Sequence, residues 1–142
     1  MPGQLQSPEI QAWAAGFPTS LLHGGVMLLI LVAGAALYAM VTPHREIQLI
    51  REGNSAAAVS FGGVILGLAA PLAVCLLRST TVGDLALWGV TALFVQLAVF
   101  RLFDVLLNGL PQRIRQGEMS AAALLVSAKL AAAMILAAAV AA

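Results

Sequence analysis

Four apolar stretches, at residues 17–41, 56–77, 85–107 and 121–142, take up most of a chain of 142 residues. A helical span needs about 20 mostly apolar residues to cross about 30 Å of hydrocarbon, so each stretch is long enough. Within lipid the backbone must satisfy its own polar groups, which for segments of this length selects the α-helix. Composition agrees, since 61% hydrophobic residues, 9% charged residues and a mean hydropathy of +0.99 lie far from the averages of soluble domains. The expected fold class is an all-α integral membrane protein with four transmembrane helices in one membrane domain, residues 1–16 forming a short outer interfacial segment. The first stretch is expected to stay as a helix, because residues 1–16 carry no Lys or Arg for the basic start of a signal peptide.

Between the stretches, the chain is punctuated as helix ends should be. Pro43 is expected to end the first span, because proline cannot supply the next helical N–H and pushes its predecessor out of the α region. HREIQLIREG then reads as a short interfacial helix, with Ile47 and Ile50 on one side and Glu46, Arg51 and Glu52 in water. Gly53 suits a left-handed stop, and Asn54 or Ser55 suits the cap of the second span. Near residue 111 the grammar recurs: Pro111 opens a short turn, Gly117 stops it and Ser120 is placed to cap the fourth span.

That recurrence is also one of words. IREGNSAAA begins at Ile50 and IRQGEMSAAA begins at Ile114. A constant shift lays Ile50, Arg51 and Gly53 on Ile114, Arg115 and Gly117, and Gly25-Val26 on Gly89-Val90. One extra residue in the second copy then brings Ser55 onto Ser120. The four spans are therefore expected to form two tandem hairpins, repeat one at about 17–77 and repeat two at about 85–142, pointing the same way as parallel repeats. Alanine and glycine are common enough here for AAA to recur by chance, so the weight rests on the Ile-Arg-x-Gly preface.

Charge sets the expected orientation. Arg45 and Arg51 lie in the first loop and Arg113 and Arg115 in the third, against Arg78 on the other side. Under the positive-inside rule both basic loops are cytoplasmic and both termini periplasmic, with Trp13 and Trp88 as anchors at the outer interface. Gly63 and Gly67, extended by Ala56 and Ser60 and reaching Pro71, make a small-residue ridge through which helices approach closely, so spans two and four are expected to be interior or oligomer-facing.

The polar residues at membrane depth are few and informative. Gln96, Phe100, Asp104 and Asn108 recur every four residues, with Arg101 three before Asp104, so span three carries one polar face that should avoid lipid. Arg101 and Asp104 fit an ion pair snorkelling toward the interface. Lys129 lies eight residues past Ala121, about 12 Å into the membrane. A charge there costs on the order of 3 kcal/mol on insertion scales. If spans three and four form an antiparallel hairpin, its ammonium leans toward Asp104, with Gln96 in reach as an acceptor. Gln96, Arg101, Asp104 and Lys129 are thus the candidate site, either as polar glue in the bundle or as an ion or proton path.

Several functions find no support. Cys75 is the only cysteine, so no intrachain disulfide forms. His23 and His44 flank the first span too far apart to share a metal. No nucleophile has a base at a workable spacing, and a net charge of +1 speaks against nucleic acid. No catalytic site, cofactor or metal is expected.

The run TPHREIQLIREGNSAAA, followed by Gly63, Gly67 and Pro71-Leu72, then Asp84, Trp88-Gly89, Ala92-Leu93 and Gln96-Leu97, resembles the YjfL-like family of small bacterial inner-membrane proteins, domain of unknown function 350. The resemblance runs from about Leu21 onward. It implies four spans, a bacterial inner membrane and a loose association with envelope maintenance or stress. The positions that match the family pattern are Pro43, His44, Glu46, Asn54, Gly63, Gly67, Pro71, Asp84, Trp88 and Gln96. Lys129 lies outside that pattern, and Glu118-Met119 replaces an Asn-like cap in the second copy.

Together these features lead us to expect a non-enzymatic, homo-oligomeric membrane component whose partners are membrane lipids and a cytoplasmic or membrane protein at the basic loops. The alternative is a small ion or solute channel or transporter using the polar face of span three.

Overall fold

A computed structural model describes residues 7–42 and 45–142, so the expectations at Pro43 and His44 lie outside the described residues. Regular structure among the described residues is entirely helical. Four long helices, α1 (Pro8–Val41), α3 (Ser55–Arg78), α4 (Val82–Leu106) and α6 (Met119–Ala141), are each long and apolar enough to cross a membrane. Two short helices, α2 (Glu46–Arg51) and α5 (Leu110–Arg115), sit in the loops at one end, here termed the loop face.

The local causes of these boundaries are visible. Asn54 caps α3 by accepting from the Ala57 N–H at 3.0 Å, and Thr81 caps α4 by accepting from Asp84 at 3.2 Å. Ser120 does not cap α6. The helix already begins at Met119, its N-cap is Glu118, and the Ser120 hydroxyl donates to Glu118 instead. Glu118 also takes a double contact from Arg113, with Nε at 2.6 Å from Oε2. The Arg113 guanidinium holds the Glu118 carboxyl below the usual carboxylate range.

The two loops share a constant offset. α2 and α5 begin at Glu46 and Leu110 and end at Arg51 and Arg115, and α3 and α6 follow from Ser55 and Met119, with no extra residue in the second loop. Gly53 (φ 87°) and Gly117 (φ 83°) take the same left-handed turn, closed by Asn54 N–H to Leu49 and Glu118 N–H to Arg113. Even the starts agree, since Arg45 (φ 49°) and Gly109 (φ 93°) are both left-handed. One asymmetry remains. Asn54 spends its amide donors across the bundle on the Ile114 and Arg115 carbonyls, at 3.1 and 3.0 Å, while Glu118 turns back to its own loop.

α3 is the central rod, packed against α1, α4 and α6. It buries Ala56, Ser60, Gly63, Gly67 and Pro71 along one face, and α6 answers with Ala121, Leu125, Lys129, Ala133 and Ala137, one every four residues. A Cβ added at Gly63 would lie 2.6 Å from Val126 Cγ2, and one at Gly67 would lie 2.5 Å from Phe100 Cζ. Close backbone approach is therefore what these two glycines supply. α6 is interior on that strip and at Ala122, and buries less of its surface than α3 does. Three apolar clusters stack along the bundle. Ala56, Ala57, Ile114 and Leu125 lie near the loop face, Val64, Leu68, Leu97 and Phe100 in the middle, and Met27, Leu72, Cys75 and Leu85 toward the other end.

α1 is longer than expected, with 34 residues against 23 to 25 in the other long helices. Met27 packs at Gly89, so Trp88 is level with the region of Val26, and Trp13 lies about 20 Å further out by helical rise. α1 continues outward beyond the start of α4, which sets the two tryptophans at different heights along the bundle. Out there Trp13 stacks on Phe17, with ring centroids 5.2 Å apart.

Neighbouring glycines give a test of close packing. Gly63→Val should destabilise the bundle by about 1–3 kcal/mol through overpacking, whereas Gly62→Ala, where an added Cβ meets nothing within 4 Å, should be neutral or mildly stabilising. Thermal unfolding in detergent checks both.

Candidate functional site

Three long helices deliver one polar group each to a point between the loop-face and middle apolar clusters. The α6 strip brings Lys129, the α4 face brings Asp104, and α1 brings Tyr38. Lys129 Nζ lies 2.7 Å from Asp104 Oδ1 and donates to Tyr38 Oη at 2.6 Å; Tyr38 Oη in turn donates to Asp104 Oδ2 at 3.0 Å. The ring of contacts is closed. Lys129 is 0% exposed, and its ammonium also stands 5.5 Å from the Phe100 ring centroid.

Arg101 completes the charge pattern from outside, 3.7 Å from Asp104 Oδ2 and a third exposed, as an i, i+3 pair on α4. Asn108 is exposed at the end of the same face. Gln96 is different. It is fully buried, yet both atoms of its amide lack a hydrogen-bond partner among the described residues, so it does not join the Lys129 ammonium as its position suggested. Tyr38 takes that place.

Glu46 is the second departure. Expected in water, it is 6% exposed, because α2 folds against the start of α3 and rolls this side chain inward while Ile47 stays exposed. Burial pushes its carboxyl up to about 7; the Lys129 ammonium opposes that shift, the Asp104 carboxylate adds to it, and Ser60 beside it eases it. Two carboxylates therefore sit near one buried lysine, a pairing not visible in the order of residues. Tyr38 was missed as well, although it is the chain's one tyrosine and stands in the last turn of α1.

An open cavity of about 350 Å³ at the loop face is lined by Arg101, Asn108, Gln112, Arg115 and the buried Asp104. Beyond Asp104 the middle cluster closes the bundle with Val64, Leu68 and Phe100, each 0% exposed. Among the described residues no group of three His, Cys, Asp or Glu is placed to hold a metal ion. Asp84 and Trp88 lie at the opposite end, beside Arg78, whose guanidinium donates to the Val140 carbonyl and ties α3 to α6.

Four lipid-length helices closed around a buried ion pair define a small multi-pass integral membrane protein. The chain belongs to the family described as Domain of Unknown Function (DUF350), which matches residues 12–140. It is 34% identical over 95 residues to the UPF0719 inner membrane protein YjfL of Escherichia coli (strain K12), covering 67% of this chain and 72% of that one. The same figures hold for the protein of that name from Escherichia coli O157:H7. No solved structure matches the chain. With its apolar helices, this kinship makes it a multi-pass inner-membrane protein.

Removing one partner of a buried pair leaves the other charge uncompensated, so Lys129→Met should cost about 3–5 kcal/mol. Adding Asp104→Asn to it should recover part of the loss, and Tyr38→Phe alone should cost only about 1 kcal/mol; unfolding of the three variants in detergent measures this. Glu46 sets a pH dependence. Its folded-state pKa of about 7 stands above the ordinary 4.5, so the folded protein binds the proton more tightly. Stability is therefore full below about 4.5 and declines as pH rises to about 7. Melting temperatures from pH 4 to 8 should show that decline, and Glu46→Gln should flatten it.

Proposed function

We propose that the protein is a non-enzymatic, self-associating component of the bacterial inner membrane, serving envelope maintenance or stress through a partner at its basic loop face. Its two hairpins act as tandem copies within one membrane domain, with loops in the cytoplasm and termini outside. The single observation that carries a non-conducting role is the dead end: the polar cavity stops at Asp104, and fully buried apolar side chains fill the bundle beyond it. Conduction needs a polar path from side to side. Self-association is supported by α1, where Gly16, Gly24 and Gly25 have open space beside them within the protomer.

A second reading, a small ion or solute channel or transporter, is favoured by one specific feature. Gln96 is buried without a partner on the polar face of α4, one turn deeper than Phe100. A rotation of Phe100 would join it to the centre.

Flux assays separate the two. Purified protein in liposomes should give no proton or cation leak above empty vesicles, and its mass in mild detergent should be a small multiple of 14.6 kDa. An electrogenic leak abolished by Gln96→Leu or Asp104→Asn would replace the first reading with the second.

A further inference from the structure

At the end away from the loop face, α1 rises clear of the bundle. Gly89 of α4 packs on Met27, so by helical rise Asp84 is level with about Leu22. Arg78 sits beside Asp84 at that end, and charged side chains of this kind keep to the edge of the hydrocarbon. Trp13 stands about 14 Å further out than that level and Ile10 about 18 Å. The headgroup layer is only about 5–8 Å deep. Ile10 and Trp13 therefore stand beyond the reach of lipid, and every residue from 8 to 20 is exposed in the protomer.

That outward reach is apolar along one face. Ile10, Trp13, Phe17, Leu21, Gly24 and Leu28 follow one another at intervals of three and four residues, which keeps them in one row. The five large side chains of the row are between 46% and 63% exposed. Trp13 and Phe17 form the stacked pair, and aromatic side chains of this size dominate protein association. A Cβ added at Gly24 would meet nothing within 4 Å, so a second helix has room to close there. Ala12 and Thr19 lie on the opposite side. Water leaves such a row unfavourably exposed, lipid cannot cover its outer half, and α4 starts too low to do so. A second copy can. Insertion gives every copy the same orientation, so its α1 presents the same face at the same height, as a two-fold contact requires.

We infer that two copies pair along this face of α1, in parallel about a two-fold axis along the membrane normal, with Ile10, Trp13 and Phe17 as anchors on the water side and Gly24 as the point of close approach. This contact is the interface of the self-association proposed above and rests on that reading.

Single cysteines in a Cys75→Ala background, oxidised in native membranes, test the pairing. Ile10→Cys should give a disulfide-linked dimer, and Ala12→Cys at least about tenfold less, because a disulfide needs Cα atoms within about 7 Å. Trp13→Glu should shift the mass in mild detergent from dimer to monomer, while Ala12→Glu should leave it a dimer. Both positions lie outside the bundle, and thermal melts establish that each variant is folded; the cysteine pair decides alone if Trp13→Glu is not. A wild-type mass of one protomer, with no cross-link at Ile10→Cys, would remove self-association itself. An oligomer that survives Trp13→Glu and cross-links equally at the two positions would keep self-association and overturn this face. In a Trp88→Phe background, strong quenching of Trp13 by brominated phospholipid would overturn it in favour of a helix end lying on the bilayer.

Discussion

A lysine ammonium buried inside a lipid-embedded bundle governs the arrangement of the helices around it. Hydrocarbon offers no water to solvate Lys129, so the fold must bring a carboxylate and a hydroxyl to it, and these come from different helices. Asp104 from α4 and Tyr38 from α1 meet that need. The requirement fixes the rotation of α1, α4 and α6 together, because turning any one of them would strand a charge or a phenol in an apolar layer. Packing of small residues brings the rods close, as at Gly63 against Val126, but small residues slide past one another with little penalty. The ion pair supplies the register that alanine cannot.

The same centre divides the molecule along its length. On the loop side lie the basic cavity, the two short helices and the Asn54 bonds that tie one loop to the carbonyls of the other. On the far side lie the two deeper apolar clusters with the buried Gln96 among them, the end where Arg78 and Asp84 sit, and the long outward reach of α1. Glu46 lies inside the polar half, where burial pushes its carboxyl up to about 7.

Residue order reached part of this centre. The four-residue recurrence of Gln96, Phe100 and Asp104 marked one face of α4, and the depth of Lys129 with an antiparallel neighbour pointed its chain at Asp104. Gln96 has the same periodicity as Asp104 and still holds no bond, because reaching Lys129 depends on side-chain direction and on Phe100, which periodicity does not encode. Tyr38 sits 66 residues from Asp104 and 91 from Lys129, so nothing local announces the contact. Glu46 reads as a solvent-facing residue on a six-residue helix, and the roll of so short a helix is decided by its neighbour and not by its own sequence.

What the sequence determined by itself is the set of segments: four stretches too apolar for water, stops at Gly53 and Gly117, and a cap at Asn54 or Ser55, which the structure gives to Asn54. These follow from solvation and backbone conformation, which act over a few residues and leave their mark in composition and local order. Tertiary structure alone decided which polar groups meet, how far α1 extends past α4, that Ser120 does not cap α6, and that Glu46 turns inward. Those outcomes depend on the relative rotation and height of whole helices. Such quantities are set by the joint need to pair every buried charge, and no single segment carries that information.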